Sequence, residues 1–406
     1  MILSNLLDLQ DGTPLSTLRI IRLKKSIIKL LTISESTIAE LCKETEFSVP
    51  TITKVLGELI KDGIVVERGK IDTPGGRRPS IYAINPNSAF FMGVSVKRDS
   101  VSMGIQNFTN EFIKFETQIP YKLENTRESL QKLCDLINQF IEQSEIKKDK
   151  ILGVCVVFTG RINSQKGINT TYFYFDEEPL SAIIESHIGI RTFIENDSRA
   201  MLYGEYCNGA ISDENDVIYL NISWGFGIGI LCNGDLYYGK SGYSGEFGHS
   251  PILNNEIICE CGKKGCIQTE MSGQTLIRRF KEKLMEGSTS ILTKSKPLDE
   301  ITMYDIIQAA VQSEDLLAIE VIEEVGEKLG HYLSLLVNVF NPDMVIIGGD
   351  LATAGQYIKL PIETALHKYS LNILIQDMTI KVAGLGEKAA VIGACYILQG
   401  RLFNMY

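Results

Sequence analysis

The sequence predicts an α/β protein in which an N-terminal winged helix-turn-helix precedes a larger body of two α/β lobes. In residues 1–84, helix-type segments are followed by two strand-type segments that flank a loop rich in glycine and arginine. From residue 85 onward, apolar strands alternate with amphipathic helices, which is typical of an α/β body built on mixed sheets. We expect domains at 1–84, at 85–195 with 386–406, and at 196–385.

Composition places the chain among globular proteins of the cytoplasm. It has 406 residues, 44% of them hydrophobic and 22% charged, which allows two or three domains and a large core. No run of eighteen apolar residues or secretory signal is present, so no membrane span is expected. Nine cysteines without disulfide-like spacing suit a reducing compartment. The sequence therefore predicts a cytoplasmic protein.

Charge is distributed unevenly along the chain. Residues 1–84 hold 12 Lys and Arg against 10 Asp and Glu, a net charge of +2. The total of −10 therefore leaves −12 for the remainder of the chain. This asymmetry favours an acidic body that carries a separate, basic head.

Three helices are predicted in the head. Leu15 to Leu31 has helical spacing of its apolar residues, and Ser34 is the expected N-cap of a short helix over 35–42. Ser48 is the expected cap of the next helix, Val49 to Lys61, which ends at Asp62-Gly63. Two short helices joined by a turn are typical of a helix-turn-helix.

The second of these helices is predicted to contact DNA. Its predicted core residues are Val49, Ile52, Leu56, Leu59 and Ile60. Ser48, Thr51, Thr53 and Lys54 are then left on the N-terminal, outward face, where they can contact base edges and phosphates in a major groove. The loop 69–79 carries Arg77 and Arg78 and is predicted to be a wing that contacts DNA.

A double-stranded DNA operator is the partner that this head predicts. One head makes few contacts, so we expect a homodimer or homotetramer on a two-fold operator. The alternative is a small helical module that contacts another protein and whose arginines are only solvated.

A cluster of cysteines and one histidine predicts a metal site. Three of the nine cysteines and one of the four histidines fall within eighteen residues: His249, Cys259, Cys261 and Cys266. Gly262 and Gly265 stand where the chain must turn back to bring the third thiolate inward. Three thiolates and an imidazole form a closed tetrahedral set for structural Zn²⁺. The alternative is a group of reduced cysteines with a histidine nearby by chance.

The sequence around this cluster resembles one protein family. Glu246-Phe-Gly-His249, followed by Cys-x-Cys-Gly-x-x-Gly-Cys, resembles the signature of the ROK family, which includes sugar repressors and sugar kinases. The resemblance extends with gaps from about Phe90 to the C-terminus and is to repressors of the xylose and N-acetylglucosamine type. It implies an actin-like, hexokinase-like ATPase-fold body. The helix-turn-helix head resembles the head of the family's repressors. The kinases of the family lack this head.

The resemblance also implies a sugar site. Glu195-Asn196-Asp197 resembles the Glu-Asn-Asp motif of the family, whose Asn and Asp bind sugar hydroxyls and whose Asp is the general base of the kinases. Gln268 stands where the family usually has a glutamate that contacts the sugar. The predicted sugar-binding residues are Asn196, Asp197, Glu246, His249 and Gln268. For Asn196, an Asx turn that opens the next helix is the structural alternative.

The phosphate-binding part of the kinases is altered in this chain. The family has an acidic residue followed by Gly-Gly-Thr where this chain has Ser95, and Lys97-Arg98-Asp99 replaces the small residues. Without those glycines the backbone amides cannot form an anion-binding turn. Asn221 to Ile230 and Val345 to Asp350 resemble other nucleotide segments and are interpreted as retained architecture.

These observations predict a sugar-responsive DNA-binding repressor of carbohydrate-metabolism genes with no catalytic residues. The effector is a monosaccharide or a sugar phosphate, bound in a non-catalytic, kinase-like cleft. One alternative is a sugar kinase of the ROK family with an added DNA-binding head. Another is a regulator controlled by a protein partner.

Overall fold

The computed structural model describes residues 14–70 and 79–403. The predicted wing residues Arg77 and Arg78 lie outside the described residues. The chain divides into two units, the first formed by residues 1–158, 166–195 and 394–406 and the second by residues 159–165 and 196–393. Across both described ranges, no helix combines the length and the apolar character needed to cross a bilayer.

The head, within the first unit, is a winged helix-turn-helix. Its elements are α1 (Leu15–Ile33), β1 (Ser36–Thr37), α2 (Ile38–Thr45), α3 (Val49–Lys61), β2 (Val65–Lys70) and β3 (Ser80–Ile84). The strands form one sheet in the order β1-β3-β2, with antiparallel pairing throughout. The helices pack through fully buried side chains of α1, α2 and α3, namely Ile27, Leu41 and Ile52.

The start of α2 differs from the prediction. Ser34 is the C-cap of α1, whereas Thr37 is the N-cap of α2. The Thr37 side chain accepts a hydrogen bond from the backbone amide of Glu40, and the Glu40 carboxylate accepts one from the backbone amide of Thr37. This reciprocal capping box, and the pairing of β1 with β3, fix the start of α2 three residues later than predicted.

Helix α3 has the predicted bounds, but its buried face is not the predicted one. Ile52, Val55, Leu56 and Leu59 are buried. Val49 and Ile60, which the sequence placed in the core, are 56% and 38% exposed. Val49 lies in the first turn, where side chains point toward the N-terminus and beyond the packed turns of the helix.

The rest of the first unit is built on a five-stranded sheet. Its elements are β4 (Phe90–Val96), β5 (Ser100–Asn107), β6 (Phe112–Pro120), α4 (Arg127–Glu142) and β7 (Ile151–Phe158), then, after the two-residue strand β8 (Ile162–Asn163) of the second unit, β9 (Ile168–Asn169), α5 (Leu180–Ile188) and β10 (Thr192–Asn196). The sheet order is β10-β7-β4-β5-β6. β4 pairs antiparallel with β5 and parallel with β7, and every residue of β4 and β7 is buried.

The second unit contains another five-stranded sheet and most of the helices. Its elements are α6 (Asp197–Asn208), β11 (Val217–Ile222), β12 (Phe226–Cys232), β13 (Asp235–Leu236), α7 (Gly273–Met285), α8 (Met303–Ser313), α9 (Leu316–Phe340), β14 (Met344–Gly348), α10 (Gln356–Tyr369), α11 (Asn372–Gln376), β15 (Thr379–Val382) and the start of α12 (Ala389–Phe403). The sheet order is β13-β12-β11-β14-β15. Its core joins β11, β12 and β14 to α7, α8, α9 and α10.

The two sheets have the same topology. If the five strands are numbered in chain order within each sheet, both have the order 3-2-1-4-5. In both, the first strand is antiparallel to the second and parallel to the fourth. The body is therefore built from two copies of one α/β pattern.

Candidate functional site

The junction of β10 and α6 presents two polar side chains of the predicted sugar site. Asn196 is the N-cap of α6, and its Oδ1 accepts from the backbone amide of Arg199 at 3.2 Å. Asn196 Nδ2 donates to the Gly160 carbonyl at 3.1 Å and to Asp197 Oδ1 at 3.0 Å. Asp197 Oδ1 also accepts from the Ser198 amide at 2.8 Å. Asn196 therefore caps α6, as the structural alternative from the sequence suggested. Its side-chain nitrogen also holds the Asp197 carboxylate through the 3.0 Å hydrogen bond.

Alternate glycines on β12 bring the start of α6 close to the sheet. A Cβ atom at Gly227 would lie 2.7 Å from Ser198 Oγ, and one at Gly229 would lie 2.7 Å from the Ser198 carbonyl oxygen. Any larger residue would push α6 away from β12 and move Asp197 with it. These glycines belong to the segment that the sequence suggested as a retained nucleotide loop, and here they serve strand-to-helix packing.

A short turn of 3₁₀ helix, Glu246–His249, packs closely against β12. A Cβ at Gly245 would meet the Ile228 carbonyl oxygen at 2.3 Å, and one at Gly248 would meet the Phe226 carbonyl oxygen at 2.2 Å. Gly245 also has a φ of 93°, a conformation that favours glycine. These two glycines hold the backbone that carries Glu246 and His249 directly on β12.

Two carboxylates and two arginines share one electrostatic environment. Burial raises the pKa of Asp197, while hydrogen bonds from Ser198 and Thr159 and the charge of Arg199 oppose the rise. Burial likewise raises the pKa of Glu246, against the charges of Arg161 and Arg199 and with a further increase from Asp197. Because Arg199 acts on both carboxyl groups and Asp197 acts on Glu246, the two acids have common surroundings.

Arg199 is a member of this group that sequence reasoning missed. It is only 2% exposed, and its guanidinium donates to the Ile162 carbonyl at 3.1 Å and to the Ser244 carbonyl at 3.4 Å. It also lies over the Tyr238 ring at 5.2 Å. Its place two residues after Asp197 is the one signal in the sequence, and that signal does not distinguish a buried arginine from a solvated one. Arg161, which directly follows the bend at Gly160, was likewise absent from the predicted site.

The four predicted metal ligands lie close together, as the sequence predicted. Ligand atoms of His249, Cys259, Cys261 and Cys266 all lie within 4.8 Å of one another. The Cys259 amide donates to the Lys263 carbonyl at 2.8 Å, which closes a tight hairpin. Gly262 and Gly265 have φ values of 83° and 72°, as expected where the chain turns back.

Distances within the cluster show which atoms meet. His249 Nδ1 lies 3.4 Å from Cys259 Sγ, and Cys261 Sγ lies 3.5 Å from Cys266 Sγ. The remaining ring nitrogen, His249 Nε2, lies 3.7 Å from Glu246 Oε2. The Nδ1 edge of the imidazole therefore faces the cysteine cluster, and the Nε2 edge faces the carboxylate of Glu246 in the predicted sugar site.

Gln268 contacts the thiolate cluster. Its Nε2 donates to Cys259 Sγ at 3.1 Å, and its Oε1 lies on the side of Gly225, where an added Cβ would be 3.7 Å away. A hydrogen bond to a ligand sulfur orients that sulfur and stabilises its negative charge. A contact between Gln268 and a sugar stays a prediction.

The predicted DNA contacts of α3 are at the surface of the head. Ser48, Thr53 and Lys54 are exposed, and Thr51 is half-buried. Ser48 Oγ lies 2.9 Å from Thr51 Oγ1, so these two hydroxyls hold each other at the N-terminus of α3. Their binding to bases or phosphates stays a prediction.

Comparison with known proteins identifies the family. The family model described as ROK family matches residues 99–401, about three quarters of the chain. The chain belongs to the ROK family. Curated relatives of this ROK protein cover nearly its whole length. It is 30% identical over 372 residues to the xylose repressor of Caldicellulosiruptor bescii, covering 91% of this chain and 92% of that protein. It is 26% identical to the DNA-binding transcriptional dual regulator NagC of Escherichia coli, covering 90% and 89%.

Solved structures support the fold of this ROK protein. It resembles a ROK family transcriptional regulator, a homolog of the E. coli MLC protein, with a TM-score of 0.79 and 24% identity, over 95% of this chain and 97% of that one. It also resembles a ROK family glucokinase from Streptomyces griseus, with a TM-score of 0.67 and 23% identity, over 76% and 99%. The predicted fold class, a winged helix-turn-helix with an actin-like, hexokinase-like body, is confirmed.

Proposed function

We propose that this ROK protein is a cytoplasmic, sugar-responsive transcriptional repressor of carbohydrate-metabolism genes and has no catalytic activity. The observation that carries the proposal is the naming of its relatives as xylose repressor and as NagC regulator, across nine tenths of the chain and including the head. The glucokinase, by contrast, aligns almost completely with only 76% of this chain. A repressor accounts for the remaining quarter, since a winged helix-turn-helix has a direct use in binding DNA.

The effector is a monosaccharide or a sugar phosphate that binds around Asp197 and Glu246. Ionised carboxylates accept hydrogen bonds from sugar hydroxyls, and such charge-assisted bonds are the stronger ones. Asn196, His249 and Gln268 complete the proposed set, and Arg161 and Arg199 balance the two negative charges. The half-buried Arg161 beside the acids also suits a phosphorylated sugar, so a neutral and an anionic ligand should both be tested.

A structural zinc ion is proposed at the thiolate cluster. The donor set of three sulfurs and one imidazole nitrogen fits Zn²⁺, which would link the hairpin 259–266 to the turn 246–249. His249 Nδ1 would be the metal-binding nitrogen, because it is the nitrogen that faces Cys259. His249 Nε2 would then hold Glu246 in place for the sugar.

Sugar binding would regulate the head by a shift between two states. A ligand changes DNA affinity only if it binds the DNA-competent and DNA-incompetent states with different affinity. The head would act on a two-fold operator as a homodimer or homotetramer, because one helix-turn-helix supplies few contacts.

The second candidate is a sugar kinase. Its support is Asp197, which stands in the position of the family's general base, together with the fold shared with the glucokinase. Against it, Ser95 is a buried strand residue, and the turn that follows consists of Lys97, Arg98 and Asp99. Side chains at each of these positions obstruct the close approach of a backbone turn to phosphates.

One set of titrations tests the proposal. Full-length protein is titrated by calorimetry with xylose, glucose, N-acetylglucosamine and their phosphates, and DNA binding is measured with and without each ligand. We expect heat with at least one ligand and a change in DNA affinity caused by that ligand. Turnover of ATP with any of these sugars would favour the kinase, and the absence of heat with all of them would favour regulation by a protein partner.

A further inference from the structure

The outward face of α1 carries a basic stripe. Residues 15–33 contain five basic residues and no acidic one. Three of the five, Arg19, Arg22 and Lys29, line a groove of about 440 Å³ in the head, together with Ser26. At 3.6 residues per turn, these four positions fall within about 80° of the helix circumference. They form one continuous stripe, named here the α1 stripe.

The other two basic residues of α1 have different surroundings. Lys24 Nζ forms an ion pair with Glu58 of α3 at 2.7 Å, which ties α1 to α3. Lys25 is buried, and burial together with the nearby Arg191 lowers its pKa. Lys24 and Lys25 are thus engaged within the protein and are not part of the α1 stripe.

The α1 stripe lies beside the N-terminus of the predicted recognition helix. The Arg19 guanidinium stacks over the Phe47 ring at 4.9 Å, and Phe47 immediately precedes Ser48, the N-cap of α3. Thr45 and Phe47 line the same groove as the stripe. In helix-turn-helix proteins the N-terminal part of the recognition helix contacts the bases, so groups beside it are near the DNA backbone.

We propose that Arg19, Arg22 and Lys29 bind phosphates of the operator backbone next to the major groove that α3 enters. This inference rests on the proposed DNA-binding function and adds a contact surface to it. The groove is lined by the apolar residues Leu23, Leu30 and Phe47 as well as by the three cationic side chains. A DNA strand, with deoxyribose between charged phosphates, has the complementary character. From Arg19 to Lys29 the helix rises by about 15 Å, which is long enough to span several phosphates of one strand.

Charge complementarity favours DNA over an acidic peptide as the occupant. Glu44 is the one acidic residue among those that line the groove, against three basic ones. A peptide would also be attracted by that charge, but it would have no reason to lie at the N-cap of α3. Phosphate contacts set orientation and add affinity without reading sequence, and this determines the test.

The test compares full-length wild-type protein with the triple variant Arg19→Ala, Arg22→Ala, Lys29→Ala. The probes are a duplex selected from random-sequence DNA by the wild-type protein and a scrambled duplex of equal composition. Dissociation constants are measured by fluorescence anisotropy at several salt concentrations. We expect the variant to lose affinity for both duplexes by the same factor, about tenfold or more at 0.1 M salt. The slope of log affinity against log salt should fall by about 0.9 for each phosphate that the variant no longer binds.

Two controls separate phosphate binding from folding and from general charge. The charge-matched triple Lys132→Ala, Lys147→Ala, Lys148→Ala removes three exposed lysines outside the head and should keep the wild-type slope. Arg19→Lys keeps the charge but weakens the stack on Phe47, so it should also keep the slope. If the main variant unfolds at lower temperature than wild type, the double variant Arg22→Ala, Lys29→Ala is used in its place.

The outcomes distinguish this inference from the function on which it rests. A wild-type affinity and salt slope in the α1 variant would overturn the inference and leave the repressor proposal standing. Loss of affinity for the selected duplex alone, with an unchanged slope, would also overturn it. A wild-type protein that selects no DNA at all would overturn the proposed function itself.

Discussion

The carboxylate of Asp197 determines how sugar binding should depend on pH. Its pKa is raised by burial, and only the ionised form accepts hydrogen bonds from sugar hydroxyls at both oxygens. Sugar affinity should therefore fall as the pH drops through this raised pKa, and the fall should begin at a higher pH than an exposed aspartate would require. Calorimetric titrations from pH 7.5 to 4.5 check this. An affinity that does not change over that range would contradict the assignment.

The substitution Asp197→Asn should affect sugar affinity and protein stability differently. The variant should lose about 1.5–3 kcal/mol of sugar affinity, the usual contribution of a hydrogen bond to a charged group. Its stability should not fall at neutral pH. Because the folded pKa is raised, the unfolded chain releases this proton first as the pH increases, and the folded state then carries the cost of a buried charge. Thermal unfolding at pH 7 with and without sugar measures both effects.

The turn Glu246–His249 should tolerate no side chain at Gly248. An alanine Cβ would lie 2.2 Å from the Phe226 carbonyl oxygen, and a backbone atom of a central strand cannot move away cheaply. Gly248→Ala should destabilise the protein by about 1–3 kcal/mol and weaken sugar binding through displacement of Glu246. Chemical unfolding measures the first effect. Gly225→Ala is the matched control, since its Cβ would make only an ordinary 3.7 Å contact with Gln268.

The hairpin 259–266 should depend on metal. Purified protein should contain about one zinc ion per chain, and a strong chelator should remove it and lower both thermal stability and sugar affinity. Cys266→Ser should contain little zinc, since the thiol is fully buried among the other ligands. Cys232→Ser, which alters a cysteine outside the cluster, should keep it. Protein purified without metal and still binding sugar with full affinity would rule out this role for the cluster.

Sequence patterns predicted elements and local clusters well because these depend on near neighbours. The bounds of α3 follow from Pro50 and Asp62-Gly63, and the glycines at 262 and 265 mark the turns of the hairpin 259–266. Ser48 occupies the N-cap position of α3, but its side chain makes no capping hydrogen bond. Sequence patterns gave wrong or incomplete predictions where contacts between residues distant in the sequence determine the structure. Ser34 was a plausible cap, but pairing of β1 with β3 selected Thr37. Arg199 gave no sign of burial, because its partners, Ile162 and Ser244, are 37 and 45 residues away.

For the whole protein, the strongest expectation concerns the salt dependence of DNA binding. Arg77→Ala with Arg78→Ala should weaken binding to all duplexes similarly and lower the salt slope by about 1 for each phosphate that is no longer bound. Thr53→Ala should instead weaken binding to the selected duplex more than to a scrambled one, because a base contact carries sequence information. Anisotropy titrations with both duplexes distinguish the two classes. A wild-type slope in the arginine variant would reject these two contacts.

The imidazole of His249 lies between the thiolates on one edge and Glu246 on the other. If this ring binds the metal and contacts the sugar, the two binding equilibria are thermodynamically coupled. The factor by which zinc increases sugar affinity must then equal the factor by which sugar increases zinc affinity. A saturating sugar should then slow metal loss to a chelator. The cell's zinc supply would thereby adjust the sugar concentration at which these genes respond.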